Sequence, residues 1–319
     1  MRHIFHRQAL CAAICLALTC AAVADAVVVK DATGREVVVK DGSRIVSIGG
    51  AVTEILYALG LQDRIAAVDT TSAYPPAALK EKPNVGYMRA LSPEGVLGIA
   101  PTLILSIEGA GPKQAMSVIE AAGIPLVTIP DSFSGEGILE KVRMVAQATG
   151  VESRGRCLAD KVHADLDALA HVRKRVDKPM RVMFVLSFVG GRAMVAGNKT
   201  AADGIIKLAG AVNAINEYEG YKAINDEAVV AAKPDAVLVM SRSSAEQLTA
   251  ETIFSHPAFT TTPAAANKAY VFMDALYLLG FGPRTALAAR DLAFKLYPDL
   301  KPEALPSESK AGSAEACVK

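Results

Sequence analysis

Tryptophan is absent from this chain of 319 residues, and aromatic residues make up only 5% of it. Histidine is also scarce, since only His163, His171 and His256 follow the first six residues. None of the three has the spacing of a metal-binding motif, so we predict that all three lie at the surface. This scarcity argues against a zinc or manganese site built from several histidines.

Three of the five cysteines fall within an uncharged apolar run, residues 9–24. The run follows basic residues and ends in small ones, which is typical of a secretory signal peptide. Its length of about 16 residues is below the roughly 20 that a membrane-spanning helix needs. We predict that residues 1–26 are a signal peptide, cleaved after Ala24 or Ala26, and that the protein is exported to the periplasm. A lipoprotein signal ending at Cys20 is the alternative.

Outside this leader the chain is neither rich in cysteine nor strongly charged. Only Cys157 and Cys317 remain, 160 positions apart, which excludes a disulfide scaffold. Loss of two arginines and one aspartate with the leader takes 34 basic and 33 acidic residues to 32 of each. This formal neutrality argues against binding to nucleic acid or to an acidic membrane surface. No later run approaches about 18 apolar residues, so we predict no membrane-spanning helix there.

Short apolar strands alternate with helical segments in each half of the remaining chain. This alternation predicts an α/β fold with mainly parallel sheets covered by helices. A helical pattern between the halves runs to about residue 176 and is interrupted near Gly150. The predicted divisions are a signal peptide at 1–26, a first lobe at 27–135, a spanning helix at 136–178, a second lobe at 179–301 and a polar tail at 302–319.

A short signature recurs once in each half, around Glu94 and Glu227. Each glutamate lies in the first turn of a predicted helix, after Ser92 or Asn225 as N-cap, and a proline follows seven positions later. A carboxylate there is favoured by the helix dipole alone, which is the ordinary interpretation. Two glutamates at matched places equally favour a shared functional role.

Motifs of catalysis are missing from the sequence. The glycine-rich pieces at 109–111 and 190–191 lack the strand–G-x-G-x-x-G–helix order of a nucleotide-binding fold, and no G-x-S-x-G elbow occurs. Asp165 and Asp167 are predicted to be solvated charges on the long helix. We therefore predict that the protein is not an enzyme.

The signal peptide, the two α/β halves, the spanning helix and the paired glutamates together resemble the substrate-binding proteins of vitamin B12, siderophore and haem ABC importers. The resemblance covers nearly all of the chain after the leader. It implies two Rossmann-like lobes joined by one long rigid helix, with small lobe motions instead of wide hinge closure. It also implies that Glu94 and Glu227 dock on arginines of an inner-membrane ABC permease, where charge complementarity would fix orientation.

Four segments are more specifically similar to periplasmic haem-binding proteins, namely residues 69–75, 85–92, 196–203 and 280–284. This resemblance implies that Tyr87 is the axial ligand of ferric haem and that Arg242 is the second-lobe arginine of the site. Phenolate oxygen is a known ligand of haem iron, but a free phenol, with a pKa of ~10, needs help to ionise. Arg89 would favour the phenolate, because side chains two positions apart in an extended segment point the same way. Without the resemblance, a half-buried structural tyrosine is the ordinary interpretation of Tyr87.

Further aromatic residues are predicted around the haem. Tyr74, in a Tyr-Pro-Pro turn, is either a rival ligand or a structural loop residue. Tyr277 and Phe281 lie in an apolar loop that would wall a flat porphyrin, with core packing as the alternative. Phe188 follows a strand after which a two-haem relative carries histidine. Because phenylalanine cannot ligate iron, we predict one haem, with Phe188 as a wall residue.

These inferences predict a monomeric periplasmic haem carrier, supplied by an outer-membrane receptor system and docking on an ABC permease. The runner-up is a siderophore or corrinoid carrier on the same frame, although a cobalamin carrier would be expected to use more aromatic walls. A haem-processing enzyme is the remaining alternative, and the sequence supplies no catalytic group for it.

Overall fold

The structure is a computed structural model that describes residues 26–241, 247–300, 304–309 and 314–318. The predicted leader up to residue 25, and Arg242, lie outside these ranges. The first described element is an antiparallel hairpin of β1 (Val27–Lys30) and β2 (Glu36–Val39), whose Val29 and Val39 join the main hydrophobic core. No helix within the described ranges combines the length and apolarity that crossing a membrane requires.

A four-stranded parallel sheet forms the first half. Its strands are β3 (Ile45–Ile48), β4 (Ile65–Val68), β5 (Leu103–Ile107) and β6 (Leu126–Ile129), in the order β4-β3-β5-β6. Every residue of β3 and β5 is buried, as expected for central parallel strands covered on both faces. The helices of this half are α1 (Gly50–Ala58), α2 (Pro76–Glu81), α3 (Pro93–Leu97) and α4 (Lys113–Ala121). The predicted strand–helix alternation is confirmed.

Two consecutive helices, α5 (Gly135–Ala148) and α6 (Glu152–Arg173), link the halves. Gly150 separates them with a φ of +69°, a left-handed conformation that glycine adopts readily. They pack closely, since a Cβ on Gly155 of α6 would lie 2.2 Å from Cβ of Ala146. The interruption predicted near Gly150 is confirmed, and the link is a pair of helices in place of the one long rigid helix that the resemblance implied. The second helix carries the chain into the second half.

The sheet of the second half is mixed. Its strands are β7 (Arg181–Val189), β8 (Arg192–Ala196), β9 (Val212–Asn213), β10 (Tyr221–Ile224), β11 (Ala236–Met240) and β12 (Tyr270–Met273). The order is β10-β8-β7-β11-β12, with β9 also beside β7. The pairings of β7 with β9 and β11, and of β11 with β12, are parallel, whereas β8 is antiparallel to both neighbours. Gly190 and Gly191 make the tight turn into β8, both with positive φ, as two-residue hairpin turns favour.

Seven helices in the described ranges surround this second sheet. They are α7 (Ala201–Leu208), α8 (Asp226–Ala232), α9 (Ala250–Phe254), α10 (Pro257–Thr260), α11 (Pro263–Ala266), α12 (Ala275–Leu279) and α13 (Thr285–Leu296). The two halves together have the predicted α/β architecture, and the main hydrophobic core contains residues of both.

The tail beyond residue 302 packs back on α6. Cys317 forms a disulfide with Cys157 of that helix, a bond that the sequence analysis did not predict. The backbone amide of Ser307 donates to Oδ1 of Asp165 at 2.9 Å. Asp165, predicted to be solvated, is 1% exposed, and this burial raises the pKa of its carboxyl. Because the tail is polar in composition, the sequence analysis did not predict that it packs on α6.

Candidate functional site

A cavity of about 330 Å³ lies between the two halves and is lined by both. Ala73 and Tyr74 line it from the loop after β4, whereas Asp274, Tyr277 and Arg284 line it from the segments after β12. Ligands of α/β proteins bind outside the carboxyl ends of parallel strands, which is where these segments lie. We call this space the cleft.

Tyr87 lies in the loop between α2 and α3, outside the group of five described residues that line the cleft. The loop is held by hydrogen bonds from the Thr70 amide to the Gly86 carbonyl and from the Gly111 amide to the Met88 carbonyl, of 2.9 and 2.8 Å. Met88 is buried, but Tyr87 is 44% exposed. Nη1 of Arg89 lies 3.5 Å from the Tyr87 hydroxyl oxygen. The structure therefore brings together the phenol and the guanidinium that the sequence predicted to be neighbours.

Tyr221 is a residue of this region that the sequence analysis missed. It lies on β10 of the second half, and its ring packs edge-on to Phe184, with centroids 6.3 Å apart. Burial raises the pKa of the Tyr221 phenol, and the positive charge of Arg89 opposes that shift. Arg89 is therefore within electrostatic reach of both halves. No motif around Tyr221 signals this position.

Arg284 is the central residue of the cleft floor. Its Cζ lies 3.4 Å from the centre of the Tyr74 ring and 5.2 Å from that of Tyr277. Nη2 of Arg284 donates to Oε2 of buried Glu54 at 2.9 Å, so a first-half carboxylate holds a second-half guanidinium. The sequence analysis placed Tyr74 and Tyr277 at the site but gave no role to Glu54 or Arg284.

Hydrogen bonds to two aspartates hold Tyr277 in place. Its amide donates to Oδ1 of Asp274 at 2.8 Å, and its hydroxyl donates to Oδ2 of Asp291 at 2.9 Å. Burial and that hydrogen bond to Asp291 raise the pKa of the phenol. Tyr277 can therefore line the cleft, but it is poorly suited to bind a metal as phenolate.

The prediction that Phe281 walls the porphyrin is wrong. Phe281 is fully buried, with its ring edge-on to that of Phe133 of the first half at a centroid distance of 5.3 Å. Nζ of buried Lys141 lies 3.4 Å from the Phe281 carbonyl oxygen and 2.6 Å from Oδ1 of Asp131. Phe281 thus packs between the halves, which was the alternative interpretation, and does not line the cleft.

Phe188, predicted to be a wall residue, has one face of its ring covered by another side chain. The ring stacks on His256, with centroids 4.7 Å apart and an angle of 18° between the planes. Nε2 of His256 lies 2.8 Å from the Gly191 carbonyl oxygen. Since this bond requires a proton on Nε2, Nδ1 is free to accept from the Ala258 amide at 3.3 Å. His163 and His171 are exposed as predicted, but His256 is only half exposed and structural.

The two matched glutamates occupy equivalent positions in the halves. Glu94 is in the first turn of α3, where the Ser92 hydroxyl accepts from the Gly95 amide at 3.0 Å. Glu227 is in the first turn of α8, after Asn225 as the equivalent N-cap. Both glutamates are exposed. The predicted capped helices are therefore present, with both carboxylates available to a partner.

Ser241, which directly follows β11, contacts the residues at the start of α12. The hydroxyl of Ser241 accepts from the Ala275 amide at 2.9 Å and lies 3.4 Å from Oδ2 of Asp274, which lines the cleft. Arg242, the next residue, lies outside the described ranges. Within those ranges no group of three His, Cys, Asp or Glu side chains is placed to hold a metal ion.

A family model described as periplasmic binding protein matches residues 45–277, which include the main sheet of each half and every cleft-lining residue except Arg284. The chain belongs to the periplasmic binding protein family. Its fold of two α/β halves is shared with a solved periplasmic binding protein to which it is similar. Family membership therefore agrees with a ligand site between the halves and confirms the resemblance stated from sequence.

Solved periplasmic binding proteins similar to this chain include two described as haem-binding. The periplasmic haem-binding protein RhuT from Roseiflexus sp. RS-1, in apo form, is 37% identical, with a TM-score of 0.76 over 82% of this chain and 100% of that one. The periplasmic haem-binding protein BhuT, in complex with two haems, is 39% identical, with a TM-score of 0.75 over 81% and 99% of the two chains.

A curated relative is similar over a comparable length. It is an uncharacterised ABC transporter substrate-binding lipoprotein of Bacillus subtilis, YvrC, 26% identical over 277 residues, which are 86% of each chain. This relative connects the periplasmic binding protein fold of the chain to ABC transport.

Proposed function

We propose that this protein binds ferric haem between its two halves, with Tyr87 as the axial ligand, and delivers it to an ABC importer. The observation that carries the proposal is the exposed Tyr87 phenol with the Arg89 guanidinium 3.5 Å away, in a first-half loop whose Arg89 interacts electrostatically with Tyr221 of the second half. The similarity to RhuT and BhuT supports haem as the ligand. Haem is the cargo here, and the protein is a carrier and not an enzyme.

The electrostatics support phenolate ligation by Tyr87. A cation beside a phenol stabilises the ionised form, and ferric iron binds phenolate oxygen. Arg89 supplies that cation, and in our proposal Arg242 binds the phenolate or a haem propionate from the second half. Tyr74 and Tyr277 then contact the porphyrin from the cleft, whereas Phe281 has no direct role because it is buried.

We further propose that one haem is bound. Phe188 offers no iron ligand, and His256 covers one face of its ring. BhuT, which is 39% identical, is in complex with two haems, so the proposed single haem separates the two proteins.

Titration of the purified protein with hemin, followed by visible spectroscopy, tests the ligand. We expect a Soret band distinct from that of free hemin and a phenolate-to-iron charge-transfer band. Tyr87→Phe should abolish the charge-transfer band, whereas Tyr74→Phe, which removes the hydroxyl of a similarly exposed tyrosine, should retain it. A charge-transfer band that persists in Tyr87→Phe but disappears in Tyr74→Phe would move the ligand to Tyr74.

The same titration tests the number and the identity of the cargo. A break at one equivalent of hemin is expected, and a break at two contradicts the single-haem proposal. Cyanocobalamin and a ferric siderophore, added separately, test the runner-up carriers. Tight binding of either, without a hemin-specific Soret band, would replace haem with that class of ligand.

We propose that Glu94 and Glu227 dock the carrier on its permease in the periplasm, where it acts as a monomer supplied by an outer-membrane receptor system. Both carboxylates are exposed at equivalent places in the two halves. The double variant Glu94→Ala/Glu227→Ala should bind hemin like the parent protein but fail to stimulate ATP hydrolysis by the importer. Undiminished stimulation would show that the pair has no docking role.

A further inference from the structure

A largely apolar groove lies beside Glu227, between helices α8 and α10. Its volume is about 460 Å³, and it is lined by Asp226, Glu227, Val230, Ala231, Pro257 and Ala258. Val230 is 42% exposed, which is high for a valine that lines a groove. No basic side chain is among the lining residues, so the groove combines an apolar floor with an acidic end.

The groove shares a helix face with the proposed docking glutamate. Glu227 and Val230 are three positions apart on α8, so their side chains lie on the same side of the helix. The first half repeats this spacing, because Leu97, three positions after Glu94 on α3, is only partly buried. In each half, a carboxylate is therefore accompanied by an apolar side chain one turn further along.

The wall of the groove opposite α8 is anchored to the sheet. His256 caps α10, and its ring stacks on Phe188 while Nε2 bonds the Gly191 carbonyl oxygen at 2.8 Å. Pro257 and Ala258, which form the wall, directly follow His256. A groove that is already formed loses little conformational freedom when a partner binds, so it is suited to a docking contact.

We propose that this groove receives an apolar side chain of the permease, next to the basic residue that pairs with Glu227. The occupant is a surface segment of the importer in which a basic and an apolar residue are neighbours. The acidic end attracts the basic residue, and burial of Val230 against the apolar one adds affinity and register. This proposal rests on the docking role of Glu227 and extends it from a charge contact to a shaped surface.

Two groove variants that leave the charge unchanged test the proposal. Ala231→Phe fills the groove, and Val230→Asn removes its apolar floor, and both positions are exposed, so the fold tolerates them. Matched controls in the same half are Ala266→Phe, on the exposed surface of α11, and Val212→Asn, since Val212 is 40% exposed on β9. Each haem-loaded variant is titrated against the haem importer of the same cells, reconstituted in nanodiscs, with stimulated ATP hydrolysis as the readout.

We expect Ala231→Phe to raise the carrier concentration needed for half-maximal stimulation at least tenfold, and Val230→Asn to raise it several-fold. Hemin titrations and thermal unfolding of both variants should be unchanged. Both controls should match the parent protein. Parent-like stimulation by Ala231→Phe and Val230→Asn, together with a defect in Glu227→Ala, would overturn the groove alone. Parent-like stimulation by Glu227→Ala as well would overturn the docking proposal on which it rests.

Discussion

Arg284 of the second half and Glu54 of the first form an ion pair beneath the cleft, with 2.9 Å between Nη2 and Oε2. The backbone amide of Arg284 also donates to Oε1 of Glu54 at 3.1 Å. Burial raises the pKa of the Glu54 carboxyl, and the hydrogen bonds and charge of Arg284 oppose the rise. Since Tyr74 stacks on the same guanidinium, one residue links the cleft surface to the contact between the halves.

Removal of the Glu54 charge should destabilise the protein strongly. Glu54→Gln leaves the Arg284 guanidinium largely buried without its counter-charge, and loss of one partner of a buried pair costs about 3 kcal/mol. Urea unfolding at neutral pH measures the change. Glu136→Gln is the matched control, because its pair with Arg143 is exposed and should change the free energy of unfolding by less than about 0.5 kcal/mol. Equal effects of the two variants would contradict the assigned role.

The disulfide should secure the tail against α6. We expect Cys157→Ser/Cys317→Ser to lower the free energy of unfolding by about 3 kcal/mol, because the open chain regains loop entropy. Limited proteolysis should then cut beyond residue 302 at early times, while the rest of the chain is spared. The parent protein in reductant should reproduce this pattern, and the double variant should be insensitive to reductant. If reductant leaves the melting temperature of the parent protein unchanged, the disulfide is contradicted.

Gly50 should tolerate no side chain. A Cβ there would lie 2.3 Å from the Thr71 carbonyl oxygen and 2.6 Å from Cδ1 of Leu276 in the other half. We expect Gly50→Ala to cost about 2 kcal/mol through overpacking. Gly135→Ala is the control, since Gly135 also begins a helix but its Cβ would meet only the movable methyl groups of Leu166, at 3.2 Å. Thermal unfolding of the two variants decides, and similar melting temperatures would count against a tight contact.

Asp31 should make stability depend on pH. Burial alone would raise the pKa of its carboxyl, but hydrogen bonds from Thr33, Arg35 and the Thr128 amide outweigh burial and lower it. A carboxyl whose pKa is lower in the folded protein than in the unfolded chain stabilises above the unfolded pKa of ~4 and loses that effect as pH falls through the folded value.

Asp31→Asn should therefore cost about 2 kcal/mol at pH 7, and this difference from the parent should shrink toward pH 2. Urea unfolding over that range measures it. Asp177→Asn, at an exposed position, should follow the parent at every pH. A difference for Asp31→Asn that stays constant with pH contradicts the assigned ionisation.

Local patterns were sufficient for much of the fold. Apolar runs between turn residues located the strands of the first sheet, and Ser92 and Asn225 marked the helices that carry the matched glutamates. The turn at Gly190-Gly191 also carried a local signal, because paired glycines between apolar runs favour an antiparallel hairpin. The sequence analysis considered these glycines only as part of a nucleotide-binding motif and rejected that motif. The antiparallel hairpin, and with it the mixed second sheet, was therefore not predicted.

Contacts between distant residues were beyond such patterns. Glu54 and Arg284 are 230 positions apart, and neither lies in a spacing that indicates a pair. The same holds for Cys157 with Cys317, and for Tyr221 near Arg89. Phe281 looked like a cleft residue because its loop is apolar, and only packing against Phe133 distinguishes a core position from a wall.

The burial of Phe281 also has a consequence for whether either half can fold by itself. Its ring belongs to the second half, yet it packs on Phe133 of the first half, and its carbonyl accepts from Lys141 of the linking helix α5. A fragment that ends after α5 would expose the apolar surface around Phe133 and separate Lys141 from the Phe281 carbonyl. We expect two fragments, expressed apart and then mixed, to reassemble through this contact, so that the two halves, each with its own main sheet, unfold as one cooperative unit.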